Sequence, residues 1–143
     1  MPHLTVQCGP GGAILDAWIG VSAARRAALT AATQPVPAMI HVRALVDTGA
    51  SHTCVASSVL HPLGITPTGT VPIFTPSTGV VAADREQYDI SLLILNDTLP
   101  PFLRATMPAI CTELFGGIDV LIGRDILNTC LLVFDGNTCS LAY

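Results

Sequence analysis

Residues 45–54 read LVDTGASHTC and decide the fold of this 143-residue chain. The apolar residues that open the stretch predict a β-strand, and the Asp-Thr-Gly that follows predicts a tight turn, because Asp and Gly are favoured turn residues. Such a turn leaves the carboxylate of Asp47 exposed at its apex. About 75 residues later, residues 120–127 read VLIGRDIL, a second apolar strand that meets a glycine and a short amphipathic run. Asp47 is the first candidate for a catalytic residue.

These motifs resemble those of the retropepsin-like aspartic proteases, whose single-domain subunits carry one Asp-Thr/Ser-Gly each. Ala-Leu-Val precedes the turn here, Ala-Ser-His-Thr follows it, and Val-Leu-Ile-Gly-Arg-Asp lies at the proper distance. The resemblance covers residues 38–135. It implies a retropepsin-like, closed barrel-like fold with a flap hairpin. The pattern of strands and turns predicts an all-β chain with two or three short helices, and the length predicts one domain of residues 1–143.

The resemblance also implies an aspartic endopeptidase that works without metal or cofactor. In this family two carboxylates face each other across a dimer axis and hold a water molecule between them. Two like charges a few ångströms apart cannot both ionise readily, so the pair shares one proton. The chain supplies one such carboxylate, Asp47, and the resemblance therefore implies a homodimer that acts on a peptide or protein substrate.

The neighbours of Asp47 have tasks in this family. Gly49 lets the backbone turn tightly and brings amide donors close to the carboxylates. The resemblance implies that the Thr48 hydroxyl hydrogen-bonds the partner's matching loop, and that Ala50 is small because substrate lies over it.

Three further residues are implied as structural support. Thr53 is expected to satisfy backbone groups beneath the loop, and Gly123 to pack bare backbone against the catalytic turn. Arg124 matches a family arginine that pairs with an acid two residues beyond the glycine of the turn. That acid is replaced by Ser51 here, so Arg124 has an unknown partner.

A flap is implied by the hairpin pattern from Val71 to about Tyr88. A flap is a mobile β-hairpin that closes over substrate and excludes water. Its tip, which is expected to contact substrate, would be Ser77, Thr78 and Gly79.

Composition excludes other classes of function. Half of the residues are apolar, 11% are charged, the formal charge is −4 and lysine is absent, which argues against a nucleic-acid partner. So little charge predicts an exposed apolar patch, which favours a dimer. Residues 13–32 form the most apolar window, but Asp16, Arg25 and Arg26 argue against a membrane span.

The cysteines and the N-terminus favour a cytoplasmic protein. The start of the chain lacks the pattern of a signal peptide. An odd count without Cys-x-x-Cys or zinc spacing predicts buried free thiols in a reducing compartment. The five cysteines are Cys8, Cys54, Cys111, Cys130 and Cys139.

Periodicity and turn residues predict mainly strands. Residues 1–37 are expected to form a hairpin, with strands at 4–7 and 13–19, and a helix at 23–29 that Ser22 caps. The remaining strands are predicted at 39–46, 71–74, 80–95, 102–107, 119–122, 130–134 and 139–142. Further helical turns are predicted near residues 57–63, closed by Gly64, and at 126–128.

No other acid reproduces the strand–turn setting of Asp47. Asp97 lacks the glycine, Asp135 lies in a hairpin turn, and Asp119 and Asp125 belong to the second motif. Asp125 is expected to cap the helical turn that follows it. A pepsin-like site within one chain is therefore not predicted.

Two alternatives remain open. In the first, Ser51 or Cys54 would be the nucleophile of a hydrolase that also uses His52, but neighbouring side chains on an extended loop are expected to diverge. The fold could also persist as a catalytically idle dimerisation or peptide-binding module in which Asp47 is retained.

Overall fold

The computed structural model describes residues 1–76, 78–96 and 100–143. Strands dominate this part of the chain and its helices are few and short, which confirms the predicted fold class. The strands of the described residues are β1 (His3–Gly9), β2 (Gly12–Val21), β3 (Ile40–Val46), β4 (Cys54–Val55), β5 (Gly69–Ile73), β6 (Ala83–Ile94), β7 (Phe102–Cys111), β8 (Val120–Ile122), β9 (Leu131–Phe134) and β10 (Thr138–Ala142).

Six of these strands close into a barrel. The hydrogen-bonded order runs β6-β7-β4-β8-β3-β2, and β2 also pairs with β6, which completes the ring. Alternate side chains of each strand point inward, and Ala17, Ile19, Val42 and Leu92 are among those fully buried in the core. The short strands β4 and β8 lie inside this order and have partners on both edges, which fixes where the loops at their ends begin.

The chain termini lie together beside the barrel. The predicted N-terminal hairpin is present, with Gly12 at φ +97° in its tight turn. Most of β1, however, pairs with β10, from His3 opposite Ala142 to Gln7 opposite Thr138. The predicted terminal hairpin of β9 and β10 is also present. The first and last strands of one chain therefore form a single antiparallel layer.

Three helices occur in the described residues, and their ends follow the caps in the sequence: α1 (Ala23–Ala31), α2 (Ser57–Leu60) and α3 (Arg124–Leu127). Ser22 caps α1 by accepting the N–H of Arg25 at 3.2 Å. A 3₁₀ turn over His61–Leu63 continues α2 and ends at Gly64, whose φ of +61° suits glycine. Within the described segments no helix is long and apolar enough to cross a membrane.

Strands β4 and β7 differ from the prediction. β4 was not predicted, because two residues carry too little periodicity to be recognised. β7 was expected to end at Met107 but runs through Pro108 to Cys111. Since β4 pairs with β7 only at Ile110 and Cys111, one edge of β7 is unpaired at Pro108, and an unpaired edge tolerates a residue without an N–H.

The hairpin of β5 and β6 is shorter than predicted. Its register runs from Gly69 opposite Gln87 to Ile73 opposite Ala83. Val80 and Val81, which were expected to begin the second strand, lie in the connection and are 94% and 70% exposed. Without a partner strand or a core to cover them, two β-branched residues do not extend the ladder.

Candidate active site

The two sequence motifs meet because their strands are parallel neighbours. β3 pairs with β8, and Val46 lies opposite Ile122. The Asp47 N–H donates to the carbonyl of Ile122 at 3.0 Å, which continues the pairing into the turn. Parallel strands end at the same edge, so the Asp-Thr-Gly turn and the Gly-Arg-Asp segment leave the barrel together.

The turn holds the Asp47 carboxylate in one orientation. The Ala50 N–H donates to the Asp47 carbonyl at 3.2 Å, and the Gly49 N–H donates to Asp47 Oδ1 at 2.9 Å. A Cβ on Gly49 would lie 3.2 Å from that same oxygen. This close contact with the carboxylate, rather than a positive φ, favours glycine at this position. Asp47 is half-buried, whereas Thr48 is exposed and its side chain has no hydrogen-bond partner in the described part of the chain.

Beneath the turn, Thr53 is the centre of a buried network. It is 0% exposed. Its hydroxyl accepts the Gly123 N–H at 3.1 Å and donates to Asp125 Oδ1 at 2.8 Å. Its own N–H donates to Asp125 Oδ2 at 3.0 Å. Thr53 therefore ties the Asp47 loop to the second motif.

Asp125 has a different role from the one that the sequence predicted. It is not the cap of α3: the N-cap position is Gly123, without a side-chain cap, and Asp125 lies in the first turn of the helix, where its carboxylate accepts the adjacent Ile126 N–H at 3.0 Å. The same carboxylate accepts both donors of Thr53, so it also anchors the loop. The sequence signal for this anchoring role is the position of Asp125 directly after Gly-Arg in the second motif.

Gly123 lies where the Asp47 loop crosses the end of β8. A Cβ at this position would stand 2.5 Å from the carbonyl carbon and oxygen of His52 and 2.9 Å from the Thr53 nitrogen. Atoms do not approach so closely, and these are backbone atoms that cannot rotate away. Glycine is therefore required by the close approach of two backbones.

Arg124 joins the loop through its main chain. Its N–H donates to the Ala50 carbonyl at 2.9 Å. Its side chain is exposed, and the described residues offer it no hydrogen bond or ion pair. Ser51, at the position of the family acid, bonds to His52 instead.

A cleft of about 410 Å³ opens beside Asp47. Asp47, Gly49 and Ala50 form one side, and residues 73–76 of the β5–β6 hairpin form another. Leu121 and Ile110 supply apolar lining, and Glu113 adds a second carboxylate. The cleft is thus a concave, largely apolar site with an acid fixed at its wall, which suits binding of a peptide.

The tip of the hairpin lies away from this lining. Thr78 makes a turn with Thr75, whose carbonyl accepts the N–H groups of Thr78 and Gly79 at 3.0 and 3.1 Å. Gly79 has φ +63° and open space around it. Ser77, the third predicted tip residue, is outside the described residues. In this structure residues 73–76 are the part of the hairpin that lines the cleft.

Ser51 and Cys54, the two alternative nucleophiles, lie in different surroundings. The expectation that adjacent side chains diverge is wrong for Ser51 and His52, because Ser51 Oγ lies 3.0 Å from His52 Nδ1. Both are exposed, and among the described residues no acid orients the imidazole. Burial, then the Asp125 and Asp47 carboxylates, raise the pKa of the Cys54 thiol to about 11. A thiol so weakly acidic is a poor nucleophile near neutral pH.

Two other observations narrow the site. A larger cavity, of about 800 Å³, lies between α1 and strands β6 and β7. The described residues of its lining include no carboxylate, and none of them lines the Asp47 cleft. Within the described ranges no group of three His, Cys, Asp or Glu side chains is arranged to hold a metal ion. Of these two cavities, the Asp47 cleft is the one with carboxylates among its described lining residues.

Comparison with known proteins agrees with the geometry. A family model described as aspartyl protease matches residues 38–126, more than half of the chain. The chain belongs to the aspartyl protease family, which confirms the resemblance seen in its motifs. A comparison with curated protein sequences found no match.

A solved structure supports the fold. The chain is similar to a retropepsin-like aspartic protease from Rickettsia conorii, with a TM-score of 0.61 and 14% sequence identity. The match covers 97% of this chain and 89% of that chain. At this identity the likeness shows the fold alone. Family and fold together support a protease function in general terms.

Proposed function

We propose that this protein is an aspartic endopeptidase that hydrolyses peptide bonds with water activated between the Asp47 carboxylates of a homodimer. One observation carries the proposal: the Asp47 carboxylate faces a peptide-sized cleft and is held at one oxygen by the Gly49 N–H at 2.9 Å. The other acid closely tied to this loop, Asp125, is engaged by Thr53 beneath it. Glu113 also lines the cleft, but it follows β7 rather than an Asp-Thr-Gly turn. The proposed mechanism therefore takes its second carboxylate from the matching turn of a second chain.

In the proposed mechanism the two carboxylates share one proton. The ionised member draws a proton from the water, and the protonated member polarises the scissile carbonyl. The pair titrates as a unit, so neither copy of Asp47 has a fixed role before substrate binds. Gly49 restricts the rotation of each carboxylate, which keeps both oriented toward the water.

The surroundings of Asp47 suit assembly and substrate binding. The exposed Thr48 hydroxyl is available to bond the partner's turn across a twofold axis. The β5–β6 hairpin is proposed as the flap, with residues 73–76 against the peptide and Thr78 and Gly79 toward its outer tip. Exposed Phe74, Val80 and Val81 are apolar residues that closure over substrate would cover.

The decisive experiment compares wild type with Asp47→Asn in digestion of casein and a peptide library over a range of acidic to neutral pH. The amide is nearly isosteric but cannot accept the water's proton, so folding is expected to persist while hydrolysis disappears. Asp16→Asn is the matched control, because Asp16 is an exposed carboxylate on β2 outside the cleft. Equal cleavage by Asp47→Asn and wild type would show that Asp47 is not the catalytic group.

Assembly and pH are tested with the same material. Light scattering is expected to show a dimer, and activity per chain is expected to fall on dilution below the dissociation constant. A shared proton predicts a bell-shaped pH profile with its optimum on the acidic side of neutrality. Full activity from a monomer would refute the mechanism, and a dimer inactive at every pH would favour the idle binding module.

A further inference from the structure

The cleft beside Asp47 is negatively charged as well as apolar. Glu113 lines it together with Ile110 and Leu121. No arginine occurs among the described residues of the lining, and the chain has no lysine to contribute. His52 is the one histidine among the lining residues that the structure describes. Binding of apolar side chains alone does not require a carboxylate in the lining.

Glu113 is positioned by one bond and keeps an oxygen free. It follows the end of β7 and is exposed. Its Oε1 accepts the Ser57 hydroxyl at 3.3 Å, at the start of α2. Its Oε2 has no hydrogen-bond donor among the described residues, so it is open to a donor brought by a ligand.

The acidic character continues beyond the cleft. A smaller cavity of about 240 Å³ shares Thr112 and Glu113 with the cleft and adds Asp84, Arg85 and Glu86. Three carboxylates therefore stand against one guanidinium. Within the described residues Arg85 has no carboxylate at ion-pair distance, since the single ion pair found there is His41 with Asp16. Burial, followed by the Glu86 and Glu113 carboxylates, raises the pKa of Cys111, and Arg85 offsets this in part.

We propose that Glu113 binds an arginine or lysine side chain of the substrate near the scissile bond, and thereby selects peptides in which a basic residue lies close to apolar ones. The inference rests on the proposed function, whose substrate class it names. Arginine and lysine have long apolar stems that pack along Ile110 and Leu121 while the charged head reaches the carboxylate. A charge-assisted hydrogen bond in a cleft that substrate covers is stronger than one in open water.

The test uses peptides that share an apolar frame and carry arginine, lysine, norleucine or glutamate at one position at a time. Wild type is expected to prefer arginine or lysine over norleucine at one position by about tenfold in kcat/KM. In Glu113→Gln this ratio falls to about one, and in Glu113→Arg glutamate becomes the preferred residue. Because the pair is ionic, the wild-type ratio is also expected to fall as salt is raised.

Asp16→Asn is again the matched control, since it removes the same charge elsewhere and is expected to keep the preference. A wild-type enzyme without preference for basic residues, or a Glu113→Gln enzyme that retains it, would overturn the proposal. So would a folded Glu113→Gln protein that cleaves no peptide, because Glu113 would then act in catalysis.

A binding measurement separates this inference from the proposed function. The Asp47→Asn protein keeps the cleft but is not expected to cleave, so peptide affinity can be measured by fluorescence anisotropy. Tighter binding of arginine peptides that disappears in the Asp47→Asn, Glu113→Gln double variant supports the role of Glu113 even if wild type hydrolyses nothing. Equal affinity for arginine and norleucine peptides would refute it even if wild type is an active protease.

Discussion

Replacing Thr53 with valine tests whether the buried network fixes the Asp47 loop. Valine keeps the shape and volume of threonine but lacks the hydroxyl. The Gly123 N–H, now 3.1 Å from Thr53 Oγ1, would lose its acceptor, and Asp125 Oδ1 would lose a donor at 2.8 Å. Thr53 is 0% exposed and Gly123 is buried, so water is not expected to replace the lost acceptor.

The magnitude follows from these two losses. A buried donor left unsatisfied costs about 1–3 kcal/mol, and a hydrogen bond to a charged group contributes about 1.5–3 kcal/mol. Asp125 is exposed and can recover part of its solvation, so we expect a total near 3 kcal/mol. For a domain of this size that lowers Tm by about 10 °C. Thr53→Ser keeps the hydroxyl and removes one methyl group, which costs about 1 kcal/mol.

Thermal and urea unfolding followed by circular dichroism measure the difference. Protein concentration must be identical for all variants, because the Tm of the proposed dimer would depend on it. Thr66→Val, at an exposed position, controls for the general effect of the exchange and is expected to change stability by less than about 0.5 kcal/mol.

The order of the variants decides the outcome. Thr53→Val is expected to be the least stable, followed by Thr53→Ser and then Thr66→Val. Peptide hydrolysis is expected to be slowest in Thr53→Val, faster in Thr53→Ser and fastest in Thr66→Val. If Thr53→Val is as stable as Thr53→Ser, the hydroxyl does not support the loop and the reasoning from hydrogen bonds is refuted.

Three further predictions use other parts of the molecule. Gly123→Ala would place Cβ 2.5 Å from a main-chain carbonyl of the Asp47 loop, so it is expected to lower the free energy of unfolding by about 1–3 kcal/mol and to remove nearly all activity. Gly69→Ala, with open space around it, is the control and is expected to change activity little. Equal effects of the two substitutions in melting and peptide assays would contradict this. The pKa of Cys54 is raised to about 11, so iodoacetamide is expected to alkylate this thiol slowly at neutral pH and faster as the pH rises. Mass spectrometry of the labelled peptide measures the rate, and rapid labelling at neutral pH would contradict the prediction. Hydrogen bonds from the main-chain N–H groups of residues 138 and 137 lower the pKa of Asp135, so the stabilisation by its carboxylate is present above the unfolded-state pKa and is lost as pH falls through the folded-state pKa. The urea midpoints of wild type and Asp135→Asn are therefore expected to differ at neutral pH and to converge in acid. A difference that stays constant with pH would argue against this linkage.

Signals confined to a few residues were sufficient for most elements. The Ser22 cap, the Gly64 helix end and the turn at Asp135 each act through neighbours in the chain, and each lies where the local pattern predicts. The Asp47 motif was equally visible, because a strand that enters Asp-Thr-Gly is specified within ten residues. The aspartyl protease family could therefore be named without a structure.

Tertiary structure decided what joins distant segments. Strand β4 exists because β7 and β8 hold Cys54 and Val55 between them, and no local pattern of two residues specifies that pairing. Thr53 and Asp125 are 72 residues apart, and Glu113 reaches the Asp47 cleft because β4 and β8 pair between β7 and β3. A sequence pattern records which residues can form a strand or a turn, but the free energy that brings distant residues into one site comes from burial of the whole core.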